Sequence, residues 1–244
     1  MAIEGVFPPV TTPFDDNGCI VHDHLAENIK RWNETDISGY LILGSNSESV
    51  FLTEEEKLEI VKAARQSIPP SKKMLVGTGL ESTRNTIEFT RRAAGCGADV
   101  AVVITPHFFK SHMSHQAFVK HYLMVADSSP IPVLLYNVPS FTGLNMEAGT
   151  VATLSSHENI IGIKDSSGNV EQLSEIISLT GENKFSVLTG SSIVLYPSMC
   201  VGASGGIMAI ACALPEKCSD IIRLYKNGNH TEAKKLQMRL IDPT

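Results

Sequence analysis

No apolar run in this sequence approaches the roughly 20 residues a bilayer-spanning helix needs. The longest, of about ten residues, are broken by Gly or Pro. Basic charge is also scarce: 20 Lys and Arg stand against 26 Asp and Glu, for a net charge of −6. A basic surface is what neutralises phosphates, so nucleic acid is not the expected main partner. A small anionic substrate stays open, because a site can be locally positive. The five cysteines, Cys19, Cys96, Cys200, Cys212 and Cys218, are odd in number and show no C-x-x-C spacing. They read as free, buried thiols in a reducing compartment rather than as disulfides or zinc ligands. No signal peptide opens the chain, since Met1 runs within a few residues into Gly5-Val6-Phe7-Pro8-Pro9-Val10. The cytoplasm is the expected compartment, or the mitochondrial matrix if a transit peptide has been removed. G-x-S-x-G and P-loop patterns are missing, and no G-x-G-x-x-G follows the first apolar run. His112, His115 and His121 cluster, but no Asp or Glu lies between Lys110 and Ala126 to complete a ligand set, so no metal is expected.

What the sequence has is repetition. At 43% hydrophobic, its 244 residues exclude a disordered tail protein and suit one globular domain, or at most two small ones. Eight short apolar runs recur: Gly5 to Val10, Tyr40 to Leu43, Met74 to Val76, Val100 to Ile104, Val133 to Tyr136, Ile160 to Ile163, Phe185 to Leu188 and Gly205 to Met208. Their starts fall about 29 residues apart, the length of a strand, a helix and two loops. Helical patterns lie between them. Thr53 with Glu56 forms a capping box ahead of Leu58, Val61 and Ala64 on one face. Thr83 to Ala94 and Gln116 to Ala126 read the same way. The runs are continuously apolar, as in parallel strands covered on both faces. Eight even β-α units predict a (β/α)8 TIM barrel over an open doubly wound sheet.

A barrel of this kind places its active residues in the loops after the strands. The segments following the runs are rich in hydroxyls and glycines: Gly44-Ser45-Asn46-Ser47-Glu48, Thr105-Pro106-His107-Phe108-Phe109, Tyr136-Asn137-Val138-Pro139, Lys164-Asp165-Ser166-Ser167-Gly168 and Thr189-Gly190-Ser191-Ser192. Lys164 follows Ile163 directly, so its stem starts in the barrel mouth. Desolvation there favours the neutral amine, which attacks carbonyls to form Schiff bases. The competing reading is a strand-end lysine paired with Asp165 and pointing into water. Tyr136 ends the neighbouring strand, about 4.8 Å away, and a phenol beside an amine can shuttle protons. Alone, it would equally suit a core tyrosine. Ser45 and Asn46 can hold a carboxylate by hydroxyl, amide and backbone N–H groups, or can simply cap a tight turn. Glu48 is equally a helix-entry charge. Gly202-x-x-Gly205-Gly206 near the eighth run could approach a phosphate, but without basic neighbours tight backbone packing is the better reading.

These motifs, with the opening Gly5-Val6-Phe7-Pro8-Pro9-Val10-Thr11-Thr12-Pro13-Phe14 and Tyr136-Asn137-Val138-Pro139-x-x-Thr142-Gly143, resemble the dihydrodipicolinate synthase / N-acetylneuraminate lyase family of class I Schiff-base aldolases. The resemblance runs through nearly the whole chain in order. It implies that Lys164 forms an imine with pyruvate or another 2-oxo acid and that Tyr136 is proton donor and acceptor. Ser45 would pass protons to Tyr136, and Asn46, Ser166, Gly190 and Ile207 would join Ser45 around the substrate. The imine is the electron sink, so no organic cofactor is implied. Relatives are usually tetramers built from dimers, so a homo-oligomer is implied too. Phe141 stands where synthases usually carry an Arg for the carboxylate of aspartate semialdehyde. That favours 4-hydroxy-2-oxoglutarate aldolase, yielding pyruvate and glyoxylate. A synthase-type condensation, a sugar-acid aldolase and a non-catalytic 2-oxo-acid-binding barrel are the alternatives. Two further departures are Phe108, where Tyr commonly reaches into a neighbouring subunit's relay, and Ser47, where Gly is usual and a side chain would narrow the carboxylate turn. The family's C-terminal helical extension is expected to be largely missing. The barrel would occupy 1–227, and 228–244 would begin a shortened helical region.

Overall fold

The computed structural model describes residues 2–181 and 183–241. Eight strands alternate with helices: β1 Gly5–Phe7, α1 His22–Asn33, β2 Gly39–Ile42, α2 Glu54–Ser67, β3 Lys73–Gly77, α3 Thr83–Gly95, β4 Val100–Ile104, α4 His115–Ser128 and β5 Val133–Asn137. There follow α5 Pro139–Thr142, α6 Ala148–Ser155, β6 Ile160–Asp165, α7 Val170–Thr180, β7 Ser186–Thr189, α8 Leu195–Cys200, β8 Gly205–Ile207, α9 Pro215–Lys226 and α10 His230–Ile241. Every neighbouring pair of strands is parallel, and β1 pairs with β8. Backbone bonds from Ser38 N to Val6 O (2.9 Å) and Leu41 N to Pro8 O (3.0 Å) join β1 to β2 and close the (β/α)8 barrel.

The first strand is shorter than its apolar run. Pro8 and Pro9 have no N–H to give to a ladder, so regular pairing stops at Phe7. The chain still follows β2 as far as Val10, whose N–H donates to Leu41 O at 2.9 Å. The seventh strand is Ser186–Thr189 rather than Phe185 to Leu188. Phe185 instead packs, partly buried, in the layer under the helices. Gly205 (φ +154°) has no room for a Cβ against the Gly5 backbone, so the glycines near β8 serve close strand packing.

The capping box at α2 forms. Thr53 Oγ1 accepts from Glu56 N at 3.3 Å, Thr53 N donates to Glu56 Oε2 at 2.7 Å, and Leu58, Val61 and Ala64 are buried. The thiols depart from expectation. Cys218 is buried, but Cys19, in the turn before α1, and Cys200, at the end of α8, are exposed. Burial pushes the Cys212 and Cys218 thiols up to about 12, which makes both poor nucleophiles. The helix α10 packs on the barrel through Gln237, which donates to Ser192 O (2.9 Å) and accepts from Tyr196 N (2.8 Å). The last three residues of the expected C-terminal region, 242–244, lie outside the described residues. No helix among the described residues is long and apolar enough to cross a membrane.

Apolar side chains fill the barrel interior: Phe7, Leu41, Leu75, Val102, Leu134, Leu188 and Ile207. A second layer lies between strands and helices. His121 on α4 is buried in that layer. Its Nδ1 meets Thr83 Oγ1 at 2.9 Å, and its Nε2 has no partner among the described residues. Burial pushes its pKa down to about 4, against a smaller opposing pull from Glu81. Between pH 4 and 6.5 the unfolded chain therefore binds the proton that the folded chain refuses. The stability held above pH 6.5 is lost as pH falls toward 4, by about 3 kcal/mol for this one group. Thermal unfolding should show a drop in Tm over that window that is visibly flattened in His121→Gln.

Candidate functional site

Strand alternation decides which residues meet in the barrel mouth. In β5 and β6 the paired residues Tyr136 and Lys164 share one inward layer, level with Leu188 of β7. Below them Gly162 meets Leu134, where a side chain would collide with the backbone of Ser186. One residue further on, Asn137 and Asp165 pair and face the helices. Lys164 is therefore neither in water nor paired with Asp165. It is 3% exposed, and its Nζ sits 4.1 Å from the centroid of the Tyr136 ring. Burial lowers the ammonium's pKa from the usual lysine value, against a smaller opposing attraction from Tyr136. No carboxylate pairs with Nζ among the described residues. The result is a buried amine biased toward its nucleophilic form, with an aromatic face beside it.

The phenol continues the polar path. Tyr136 OH and Ser45 Oγ lie 3.2 Å apart, and either can donate. Ser45 opens a short 3-10 turn, Ser45–Ser47, after β2. The turn's own bonds use the N–H groups of Ser47 (to Gly44 O, 3.0 Å) and Glu48 (to Ser45 O, 3.1 Å). Among the described residues, the N–H groups of Ser45 and Asn46 donate to no protein acceptor, which leaves them for an anion. The turn is flanked by two left-handed non-glycine residues, Leu43 (φ 57°) and Glu48 (φ 55°). A bulky residue there is costly, and such strain gathers at functional turns. Glu48 is thus held at positive φ between this turn and a second short 3-10 turn, Ser49–Phe51, which it leads into.

Asn46, whose side chain is exposed, leaves its backbone N–H within the turn. One expectation about this turn needs correction. Ser47 does not narrow the turn, because its hydroxyl is buried beneath it and donates to Val10 O, while Ser47 O accepts from Thr12 Oγ1 at 2.8 Å. On the other side of the mouth, Gly190 N donates to Asp165 O at 2.6 Å, and a Cβ at Gly190 would overlap Ser166 Oγ. Ser166 N is held by Asn137 O at 2.8 Å. Ile207 is buried in β8 beside Phe7.

A cavity of about 530 Å³ opens beside this cluster. Ser45 and Tyr136 line it; Lys164, Gly190 and Ile207, further round the barrel, do not. Its walls are largely apolar, from Leu41, Val102, Ile104 and Phe141, and Phe141 is 66% exposed. Polar residues at its rim include His107, in the loop after β4, and two whose part was not legible in the sequence, Lys57 of α2 and Glu81. Glu81 Oε1 meets His107 Nδ1 at 3.0 Å, and its Oε2 accepts from the N–H groups of His107 (2.9 Å) and Phe108 (2.8 Å). Periodicity could not find Lys57 and Glu81, since they come from a helix and a loop that only barrel closure brings together. Phe108, 75% exposed, stacks edge-on against Phe109 with centroids 5.0 Å apart and offers no hydroxyl. Among the described residues no group of three or more His, Cys, Asp or Glu could hold a metal ion.

Comparison with known proteins agrees with this arrangement. The dihydrodipicolinate synthetase family matches residues 2–242. A 4-hydroxy-tetrahydrodipicolinate synthase from Methanothrix thermoacetophila is 37% identical over 97% of this chain and 79% of its own length. The structure of YagE from E. coli, a prophage protein of the dihydrodipicolinic acid synthase family solved in complex with pyruvate, superposes with a TM-score of 0.93. It is 32% identical and covers 98% of this chain and 80% of its own. A pyruvate complex of dihydrodipicolinate synthase from Acinetobacter baumannii gives a TM-score of 0.94 at 27% identity, over 99% and 82% of the two chains. With a buried strand-end lysine inside a parallel barrel and a match along almost its full length, this chain belongs to the dihydrodipicolinate synthetase family and is a carbon–carbon lyase or synthase of the Schiff-base kind.

Proposed function

We propose that the protein forms an imine between Lys164 and pyruvate and uses the derived enamine to make or break a carbon–carbon bond with a carbonyl partner. The observation that carries this is the Lys164 amine, buried, proton-shy and 4.1 Å from the Tyr136 ring centroid. In this reading Tyr136 moves protons at the carbinolamine, Ser45 links the phenol to solvent, and the N–H groups of Ser45 and Asn46 take the pyruvyl carboxylate. Ser166, Gly190 and Ile207 shape the opposite wall. The pyruvate-bound relatives support the first substrate.

For the carbonyl partner, the names of the relatives favour condensation with aspartate semialdehyde, as in 4-hydroxy-tetrahydrodipicolinate synthase, over 4-hydroxy-2-oxoglutarate cleavage. The cavity rim agrees, because Lys57 offers a cation there in place of a guanidinium at Phe141. The cleavage reading keeps one observation in its favour: Phe141 stands where synthases usually carry an arginine. Two measurements test both levels. Borohydride added with pyruvate should fix a pyruvyl adduct on Lys164, and an unmodified Lys164 peptide would reject the imine. Pyruvate consumption with the semialdehyde should exceed pyruvate release from 4-hydroxy-2-oxoglutarate, and the opposite ranking would restore the cleavage reading.

A further inference from the structure

Behind Tyr136 and Lys164, on the outer face of the same strands, lies a cluster that the chemistry above does not use. Outward positions one step lower on the central strands are apolar: Val103, Leu135, Ile163 and Val187. At the next outward level Asn137 and Asp165 are both fully buried. Asp165 accepts four hydrogen bonds. Asn137 Nδ2 (2.8 Å) and Gln172 Nε2 of α7 (2.8 Å) reach its Oδ2, while Ser167 N (2.9 Å) and Ser167 Oγ reach its Oδ1. Every contact is a donor, the pattern of a carboxylate rather than a carboxylic acid. No cation pairs with it among the described residues.

The ring closes through Asn145. Asn137 Nδ2 also donates to Asn145 Oδ1 (2.9 Å), Asn145 Nδ2 donates to Gln172 Oε1 (2.7 Å), and Asn137 Oδ1 accepts from Met146 N (3.0 Å). A buried charge with neutral partners is an expensive way to fill a site that apolar side chains fill one step below. Fully satisfied polar networks do something apolar packing does not: they admit one geometry. This one spans the last residues of two strands whose preceding residues are the nucleophile and its proton shuttle.

We infer that Asn137 and Asp165 are positioning residues, whose bond across β5 and β6, locked by Gln172 and Asn145, sets the placement of the Tyr136 phenol relative to the Lys164 amine. The inference rests on the Schiff-base reading. A displacement of about 1 Å between reacting groups costs about 10²-fold in rate, so the clamp should be felt in turnover before it is felt in binding.

The test uses the full chain. Asn137→Asp sets two carboxylates against each other, and Asp165→Asn removes the acceptor charge. Each should lower kcat about 10- to 100-fold while the extent of pyruvate trapping on Lys164, read at its end point, stays within about 3-fold of wild type. The swap, Asn137→Asp with Asp165→Asn, restores one carboxylate facing one carboxamide and should recover at least about 10-fold of the lost kcat, a coupling that independent sites would not show. If the single variants do not accumulate as folded protein, Gln172→Met removes one donor to Asp165 while leaving the pair, and should lower kcat without altering trapping. Rates are normalised to the fraction of enzyme trapped. A kcat that stays at wild-type level, falls only in step with trapping, or is not rescued by the swap overturns the inference. Failure of wild-type enzyme to trap pyruvate at all would instead overturn the imine.

Discussion

Lys164→Ala should lose turnover by about 10⁴-fold or more and take up no pyruvate under borohydride, because the covalent step has no substitute in the mouth of the barrel. Lys164→Arg should be equally inactive. Its guanidinium keeps the charge but cannot shed a proton, so the pair of variants separates nucleophile from cation. The same burial that activates the amine works against the fold. A lysine whose pKa is lowered on folding holds its proton less tightly in the native state than in the unfolded chain. Native stability is therefore reduced below the folded-state pKa, recovers as pH rises toward the ordinary lysine value, and is fully recovered above it. Lys164→Met, which fills the space without a charge, should accordingly raise Tm at neutral pH while abolishing activity. The trapping rate in wild type should rise with pH through a midpoint below the usual lysine value of about 10.4. A midpoint at that value, or a Lys164→Ala enzyme retaining a tenth of its activity, would leave the amine without its assigned part.

The eight strands were legible because parallel strands covered on both faces are written as unbroken apolar runs. The same rule explains where their ends were misjudged. A run stops at its first polar residue, yet β5, β6 and β7 continue through Asn137, Lys164-Asp165 and Thr189. Those polar ends carry the proposed functional layer, so apolar runs are shortest where the proposed chemistry begins. Lys164, Tyr136 and Ser45 could be found because their places depend only on strand ends and inward alternation. The rim residues Lys57 and Glu81 could not, because α2 and the loop after β3 meet His107 only when the barrel closes. Nor could the direction of Ser47, whose hydroxyl turns to Val10 O, a partner 37 residues away. The Asn137–Asp165 clamp had a visible sign: a polar residue follows each of the two chemical residues. Only the register of β5 on β6 turns that sign into a contact.

Tyr136→Phe should lower kcat by about 10² to 10⁴-fold while changing the pyruvate KM by less than about 3-fold. The substitution keeps the ring beside the Lys164 amine and removes only the hydroxyl. Substrate binding, which in the proposed reading uses the Ser45 turn and the Ser166–Gly190 wall, should be left in place. Tyr136→Leu removes both ring and hydroxyl. It should cost more than Tyr136→Phe, the difference reporting what the aromatic face contributes to the protonated imine, about 1 to 2 kcal/mol for a desolvated cation. Ser45→Ala divides differently, since Ser45 has two proposed parts. In the proposed relay its hydroxyl acts through the phenol 3.2 Å away, its one side-chain hydrogen-bond partner among the described residues. In the Tyr136→Phe background, Ser45→Ala should therefore have no further effect on kcat, a non-additive pair. Its effect on pyruvate KM, which comes from the carboxylate turn, should persist undiminished in that background. If the two substitutions multiply in kcat, the hydroxyls act independently and the relay from Ser45 to Tyr136 does not exist. If KM is unmoved in every Ser45 variant, the carboxylate is held elsewhere than the turn after β2.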